Sequence, residues 1–277
     1  MPLYQVVILA LVQALTEFLP ISSTAHLFLV PWLLGWGDPG LTFTVAVHAG
    51  TLAGVLAFFL QTWVKLGLAA LGVGHPRGAP EEETRRHRTL FWHMVAGTVP
   101  AAIVGYFFER QIETTLRDAR LMAVMLIAFG LLLGWADRRI RSGRSLETVT
   151  LADALVVGAA QAVSLVPGVS RSGITITVGL FRGMSREAAA RFTFLLSTPI
   201  IAAAAVRRFL ELRRMPVDDG TMVALALGAV AAAIASYLVI AFFLRYLQTR
   251  TLRIFVYYRV AFGIVVLLLV FLQRSAR

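Results

Sequence analysis

Residues 13–26 read QALTEFLPISSTAH, and residues 161–172 read QAVSLVPGVSRS. Each places proline, hydroxyl residues and charge in the middle of a long apolar stretch, 3–35 in the first case and 151–183 in the second. In hydrocarbon every backbone polar group needs an internal partner, so a broken helix is tolerated only where it lines a protein cavity. Both stretches are therefore expected to be re-entrant helix–loop–helix elements. They also match one another. A shift of 148 residues pairs Gln13 with Gln161, Ala14 with Ala162, Thr16 with Ser164, Ser22 with Ser170 and Thr24 with Ser172. Just downstream, Thr42-Phe43-Thr44 resembles Arg191-Phe192-Thr193 at a shift of 149.

The rest of the chain supplies apolar runs at about 42–61, 90–108, 119–136, 188–206, 221–244 and 253–272. Each is near the ~20 residues that a spanning helix needs. Three crossings follow each interrupted element. Three is odd, so the second half starts on the opposite face of the membrane. The expected fold is an all-α polytopic membrane protein, one integral domain over 1–277, built as an inverted-topology repeat of about 1–140 and about 150–273. In such repeats the interrupted segments meet near the midplane.

Composition agrees. Hydrophobic residues make up 58%, charged residues 15%, and mean hydropathy is +0.77, against roughly 25% charged in a soluble domain. The net charge of +11 sits in loops between apolar runs, so anionic lipid headgroups are the expected partner and nucleic acid is not. The chain has no cysteine, which excludes thiol chemistry and disulfides. The opening MPLYQVVILALVQALTEFLP lacks a basic n-region and a small-residue cleavage site, so it is expected to be retained.

Loop cations suggest an orientation. The face from which the first re-entrant element enters holds nine: Arg110, Arg117, Arg120, Arg207, Arg208, Arg213, Arg214, Arg274 and Arg277. The other face holds fourteen, among them Lys65, Arg77, Arg85, Arg86, Arg88, Arg141 and Arg144. The positive-inside rule puts the second face in the cytoplasm. The stretch EEETRRHR (81–88) is expected to be a solvated loop there.

Gln13 and Glu17 are spaced i, i+4 and share a helix face. A carboxylate in an intramembrane helix is costly and points to function. Ser22, Ser23, Thr24 and His26 follow within a few residues. A carboxylate to hold a divalent cation, hydroxyls to donate or attack and an imidazole to move protons are the ingredients of phosphate chemistry. The plainer reading is that the hydroxyls cap a helix after the break. In the second cluster Gly168 and Gly173 permit close backbone approach, Ser170, Ser172 and Thr175 offer donors, and Arg171 brings the fork that grips phosphate; alternatively, Arg171 snorkels to the headgroups. The repeat is asymmetric where it matters: Glu17 faces Leu165 in the alignment, and Arg171 faces Ser23. His48 either lines this site or packs as a satisfied histidine. Arg259, about six residues into the last apolar run, is expected to pair with an acid or to snorkel.

At QALTE (13–17), PISSTAH (20–26) and PGVSRS (167–172) the chain closely resembles the bacterial undecaprenyl-diphosphatase family, also called bacitracin-resistance proteins. The resemblance implies an integral hydrolase of the bacterial plasma membrane. Its substrate would be undecaprenyl diphosphate, cleaved to undecaprenyl phosphate and inorganic phosphate on the extracytoplasmic side, which recycles the lipid carrier of cell-wall synthesis. By motif, Glu17 would bind a divalent cation, Mg2+ or Ca2+, and the diphosphate. Gln13 would share in this, though many members carry Glu there. Ser23 would be the nucleophile, with a cation-activated water as the alternative. His26 would be its acid/base partner, and Arg171 would clamp the diphosphate. Ser22, Thr24, Ser170, Ser172 and Thr175 would support as donors. Oligomeric state is left open, a homodimer being one outcome.

Two rivals stand beside this. The type-2 phosphatidic-acid phosphatases follow Ser-Arg, after five intervening residues, with His, where this chain has Thr177. A polyprenyl-phosphate transporter would also use broken helices at the midplane, but would not need Glu17 and His26.

Overall fold

The computed structural model describes residues 1–73, 81–140, 142–212 and 219–275. The described residues form eleven α-helices: α1 (Leu3–Phe18), α2 (Ser23–Leu34), α3 (Gly40–Phe58), α4 (Leu60–Ala70), α5 (Glu81–Thr115), α6 (Ala119–Arg139), α7 (Leu151–Val163), α8 (Arg171–Phe181), α9 (Arg186–Leu212), α10 (Asp219–Leu247) and α11 (Arg253–Ser275). Five of them, α5, α6, α9, α10 and α11, are long and apolar enough to cross a membrane. The pair α3 and α4 passes the same test together but is bent by 74°. At 1.5 Å per residue, α1, α2, α7 and α8 reach only about 16 to 24 Å, short of the ~30 Å hydrocarbon core. They form two helix–loop–helix hairpins at the expected places, with breaks at residues 19–22 and 164–170.

Two expectations need correction. The apolar run 42–61 is not one helix; it breaks at Phe59, and α4 turns away. The stretch 81–88 is not a loop but the first turns of α5. Three glutamates in the first turn suit the positive helix end, and Arg86 pairs with Glu82 one turn back. Arg88 donates to the Ala69 carbonyl at 2.8 Å and so ties α5 to α4. Arg77, Arg141, Arg213, Arg214 and Arg277, and the side chains of Arg110, Arg208 and Arg274, lie outside the described residues.

Packing partners exchange between the halves. Helix α1 lies on α10 and α7 on α5; α3 lies on α10 and α9 on α5; α6 meets α11, and α3 meets α9. Without a hydrophobic drive between helices in lipid, small residues allow the close approach. A Cβ built on Gly158 would fall 1.8 Å from the Gly97 carbonyl oxygen, and one on Gly50 would fall 2.2 Å from that of Ala229. The interior is apolar, with Phe18, Phe59, Phe192, Phe194 and Phe243 in its largest cluster.

Polar contacts between loops also sort by face. Arg117 pairs with Asp38 at 3.0 Å, both in loops assigned to the first face. At the other end Asp153 is fully buried and accepts from Arg144 at 2.9 Å and Arg182 at 2.7 Å. Beside it Asp137 accepts from Arg186 and from the Leu252 backbone N–H.

Candidate active site

The two breaks meet. Ser172 Oγ, in the second hairpin, donates to the Leu19 carbonyl of the first at 3.0 Å. Ser22 and Ser170, paired by the 148-residue shift, have φ of 78° and 74° and are the only non-glycine residues with positive φ among those described. Such backbone costs on the order of 1–3 kcal/mol each and gathers at functional sites. Each serine caps the helix that follows: Ser22 Oγ accepts from Ala25 N and Ser170 Oγ from Gly173 N. The strained turns thus aim the N-termini of α2 and α8 at one cavity, where exposed N–H groups and the helix dipole favour an anion.

That cavity is lined by Thr16, Glu17, Ser22, Ser23, Thr24, His48, Ser164, Ser170 and Arg171. At its centre Glu17 Oε2 accepts from Ser23 Oγ at 2.6 Å and from Gln13 Nε2 at 3.1 Å. Arg171 Nη1 lies 3.7 Å from Glu17 Oε1 and is buried without a hydrogen-bond partner. Arg171 does not snorkel. The water-sized space is about 40 Å³, room for one or two waters.

The other predicted residues stand behind this wall. Gln13 is fully buried; its amide nitrogen faces Glu17, leaving Oε1 buried and unpartnered. Thr175 donates to the Arg171 carbonyl at 2.7 Å and accepts from Thr193. His26 is also off the lining. Its Nδ1 lies 2.7 Å from the Ser22 carbonyl, and its Nε2 lies 2.7 Å from the Tyr258 hydroxyl. A carbonyl only accepts, so Nδ1 carries the hydrogen and Nε2 accepts from Tyr258. The ring stacks on Tyr258 and Phe262. Both nitrogens are thus engaged away from the cavity, and the ring braces the Ser22 turn.

Arg259 neither pairs with an acid nor snorkels. It is completely buried and donates to five carbonyls: Pro20 of the first break, Gly168 and Val169 of the second, and Met125 and Leu126 of α6. Its guanidinium clips both breaks to α6. Sequence reasoning missed this because carbonyl partners leave no acidic residue to find. Thr16 and Ser164 were likewise not singled out as site residues, although the repeat alignment paired them. His48 proves to be a lining residue.

Comparison with known proteins places the chain. Residues 6–265 match the model of the bacitracin resistance protein BacA family. An undecaprenyl-diphosphatase of Moorella thermoacetica is 44% identical over 274 residues, 99% of this chain and 100% of that protein. One of Geobacter metallireducens is 45% identical over 267 residues, 96% of this chain and 97% of that protein. A third, from Chlorobaculum tepidum, is 42% identical over 275 residues, with 95% of each chain covered. With a matching family model along nearly its whole length and relatives this similar, the chain belongs to the BacA family of bacitracin resistance proteins.

Proposed function

We propose that this protein hydrolyses undecaprenyl diphosphate to undecaprenyl phosphate and inorganic phosphate in a bacterial plasma membrane, recycling the lipid carrier of cell-wall synthesis. The observation that carries the mechanism is the 2.6 Å hydrogen bond from Ser23 Oγ to Glu17, in a cavity that also holds the unpartnered Arg171 Nη1. A serine whose hydroxyl points at a buried carboxylate has its proton acceptor in place.

Ser23 Oγ attacks the terminal phosphorus as its proton passes to Glu17. The bond from that phosphorus to the bridging oxygen breaks, and undecaprenyl phosphate leaves with the electron pair. Water then attacks the phosphoserine, Ser23 recovers a proton from Glu17, and inorganic phosphate departs. Arg171 and the N-termini of α2 and α8 neutralise charge on the phosphoryl oxygens throughout. In phosphoryl transfer such electrostatic positioning carries most of the catalysis. Gln13 orients Glu17 from behind, and His26 holds the Ser22–Ser23 turn.

The donor set fits a divalent cation when the substrate is present: Glu17 is an ionisable oxygen ligand beside hydroxyls, and Mg2+-type sites use one or two carboxylates plus substrate phosphates. Bound there, the cation supplies Lewis acidity and charge neutralisation. The loop cations favour a site opening to the extracytoplasmic side. The transport reading has no observation of its own to carry it.

Phosphate release from a polyprenyl diphosphate by purified protein, with and without a divalent cation, tests this. Glu17→Ala, Ser23→Ala and Arg171→Ala are each expected to fold yet lose roughly 10³-fold or more in rate. A wild type that releases no phosphate would refute the hydrolase reading. Full activity in Ser23→Ala would leave hydrolysis standing and hand the attack to water.

A further inference from the structure

The two breaks share a strained serine but differ in how it is held. Ser22 and Ser170 both turn at positive φ, and the residue four places on gives its backbone N–H to the serine carbonyl, His26 at 3.2 Å and Ile174 at 2.9 Å. Such backbone persists only where its surroundings over-determine it. Arg259 helps at both breaks, through Pro20 at the first and through Gly168 and Val169 at the second. The first break has one device more. Where the 148-residue shift puts Ile174 in the second hairpin, the first has His26, whose Nδ1 adds a second donor to the Ser22 carbonyl at 2.7 Å.

That carbonyl belongs to the peptide joining Ser22 to Ser23. The peptide is planar and trans, so holding its oxygen fixes the direction of the Ser23 N–H and the start of α2. Ser23 is the residue whose short side chain reaches Glu17 at 2.6 Å. Its counterpart in the repeat is Arg171, a long side chain that can adjust by rotamer. The extra hold therefore sits at the break where aim depends on the backbone.

An imidazole keeps its direction only if its other nitrogen is held as well. Nε2 accepts from the Tyr258 hydroxyl at 2.7 Å, and the ring lies nearly parallel to those of Tyr258 and Phe262, at 16° and 14°. Tyr258 precedes Arg259 on α11 and is 41% exposed, yet its hydroxyl reaches inward to a histidine that is 3% exposed. It does not line the cavity.

We infer that Tyr258 is a positioning residue for the hydrolysis. Its hydroxyl fixes the His26 imidazole, the imidazole fixes the Ser22–Ser23 peptide, and the peptide aims the Ser23 hydroxyl at Glu17. The inference rests on the reading of this cavity as the diphosphatase site. Because Tyr258 touches no reacting atom, its effect falls on the chemical step and not on substrate binding.

The test is Tyr258→Phe in full-length protein in detergent, which keeps the stacked ring and removes only the hydroxyl. Phosphate release from a polyprenyl diphosphate is expected to show kcat lowered about tenfold or more, with KM within about twofold of wild type. Tyr257→Phe, at the exposed neighbour, is expected to leave both unchanged. In a His26→Gln background Tyr258→Phe is expected to cost nothing further, since residues that act as a unit are not additive. Nitrogen NMR of 15N-histidine protein reads the same link without turnover. The His26 Nε2 resonance, assigned by its loss in His26→Gln, is expected to move in Tyr258→Phe from that of a hydrogen-bonded acceptor to that of a free one. Wild-type kcat in Tyr258→Phe, a change confined to KM, an undiminished further loss in the His26→Gln background or an unmoved Nε2 resonance each overturns the inference. If His26→Gln fails to fold, the kcat and the shifted resonance of Tyr258→Phe decide. A wild type that releases no phosphate sinks the diphosphatase reading, whereas wild-type turnover matched by Tyr258→Phe sinks this inference alone.

Discussion

At the scale of single residues, the chemistry depends on groups that never touch the cavity. Arg259 satisfies five carbonyls that the two breaks and α6 would otherwise leave unpaired. Each buried, unpaired acceptor costs about 1–3 kcal/mol. Arg259→Met is therefore expected to lower stability by at least about 3 kcal/mol, measured by thermal unfolding in detergent, and Arg259→Lys by less, because an ammonium reaches fewer of the carbonyls. Equal loss in the two would contradict the role given to the fork. The serine turns offer a finer comparison. At φ 74°, Ser170→Ala loses the cap and keeps the strain, whereas Ser170→Gly loses the cap and relieves it. The glycine variant should be the more stable of the two by about 1 kcal/mol, and the reverse order would mean that the turn is unstrained.

At the scale of elements, the second hairpin is held by its own ends. Asp153 caps α7 through Thr150 and receives Arg182 from the end of α8 and Arg144 from the preceding loop. Asp137 at the end of α6 receives Arg186 from α9 and the Leu252 N–H before α11. Removing one partner of a buried ion pair strands the other, at about 3–5 kcal/mol. Asp137→Ala is expected to cost that much in an unfolding experiment, and the Arg186→Met, Asp137→Leu double variant much less. The contact of α7 with α5 is backbone against backbone, so Gly158→Leu should push the helices apart and abolish the folded protein. A normal yield of monodisperse Gly158→Leu would mean that the helices do not meet so closely.

At the scale of the whole molecule, the polar contacts divide between two ends, Asp38–Arg117 at one and the Asp137 and Asp153 clusters at the other. Because the chain has no cysteine, the orientation can be read directly. Single cysteines at Gly37, which has open space around it, and at the exposed Arg250 are expected to differ. Gly37→Cys should react with an impermeant maleimide on intact cells, and Arg250→Cys only after permeabilisation. The opposite pattern would invert the orientation read from the loop cations.

Hydropathy, the two interrupted motifs and the 148-residue shift were enough to determine an all-α membrane chain with paired hairpins, and to single out Glu17, Ser23 and Arg171. These properties are legible because the bilayer forces apolar length and penalises every isolated charge, so exceptions stand out in one dimension. The break at Phe59, the helical start of α5 and the sorting of two histidines were decided only in three dimensions. The sequence favours His26, which stands in the motif, over His48, which does not, yet it is His48 that lines the cavity; the sorting depends on rings from α11 and a carbonyl from α3. Arg259 is the plainest case. Its partners are backbone oxygens from three distant segments, and nothing but the tertiary packing brings them within reach of one guanidinium.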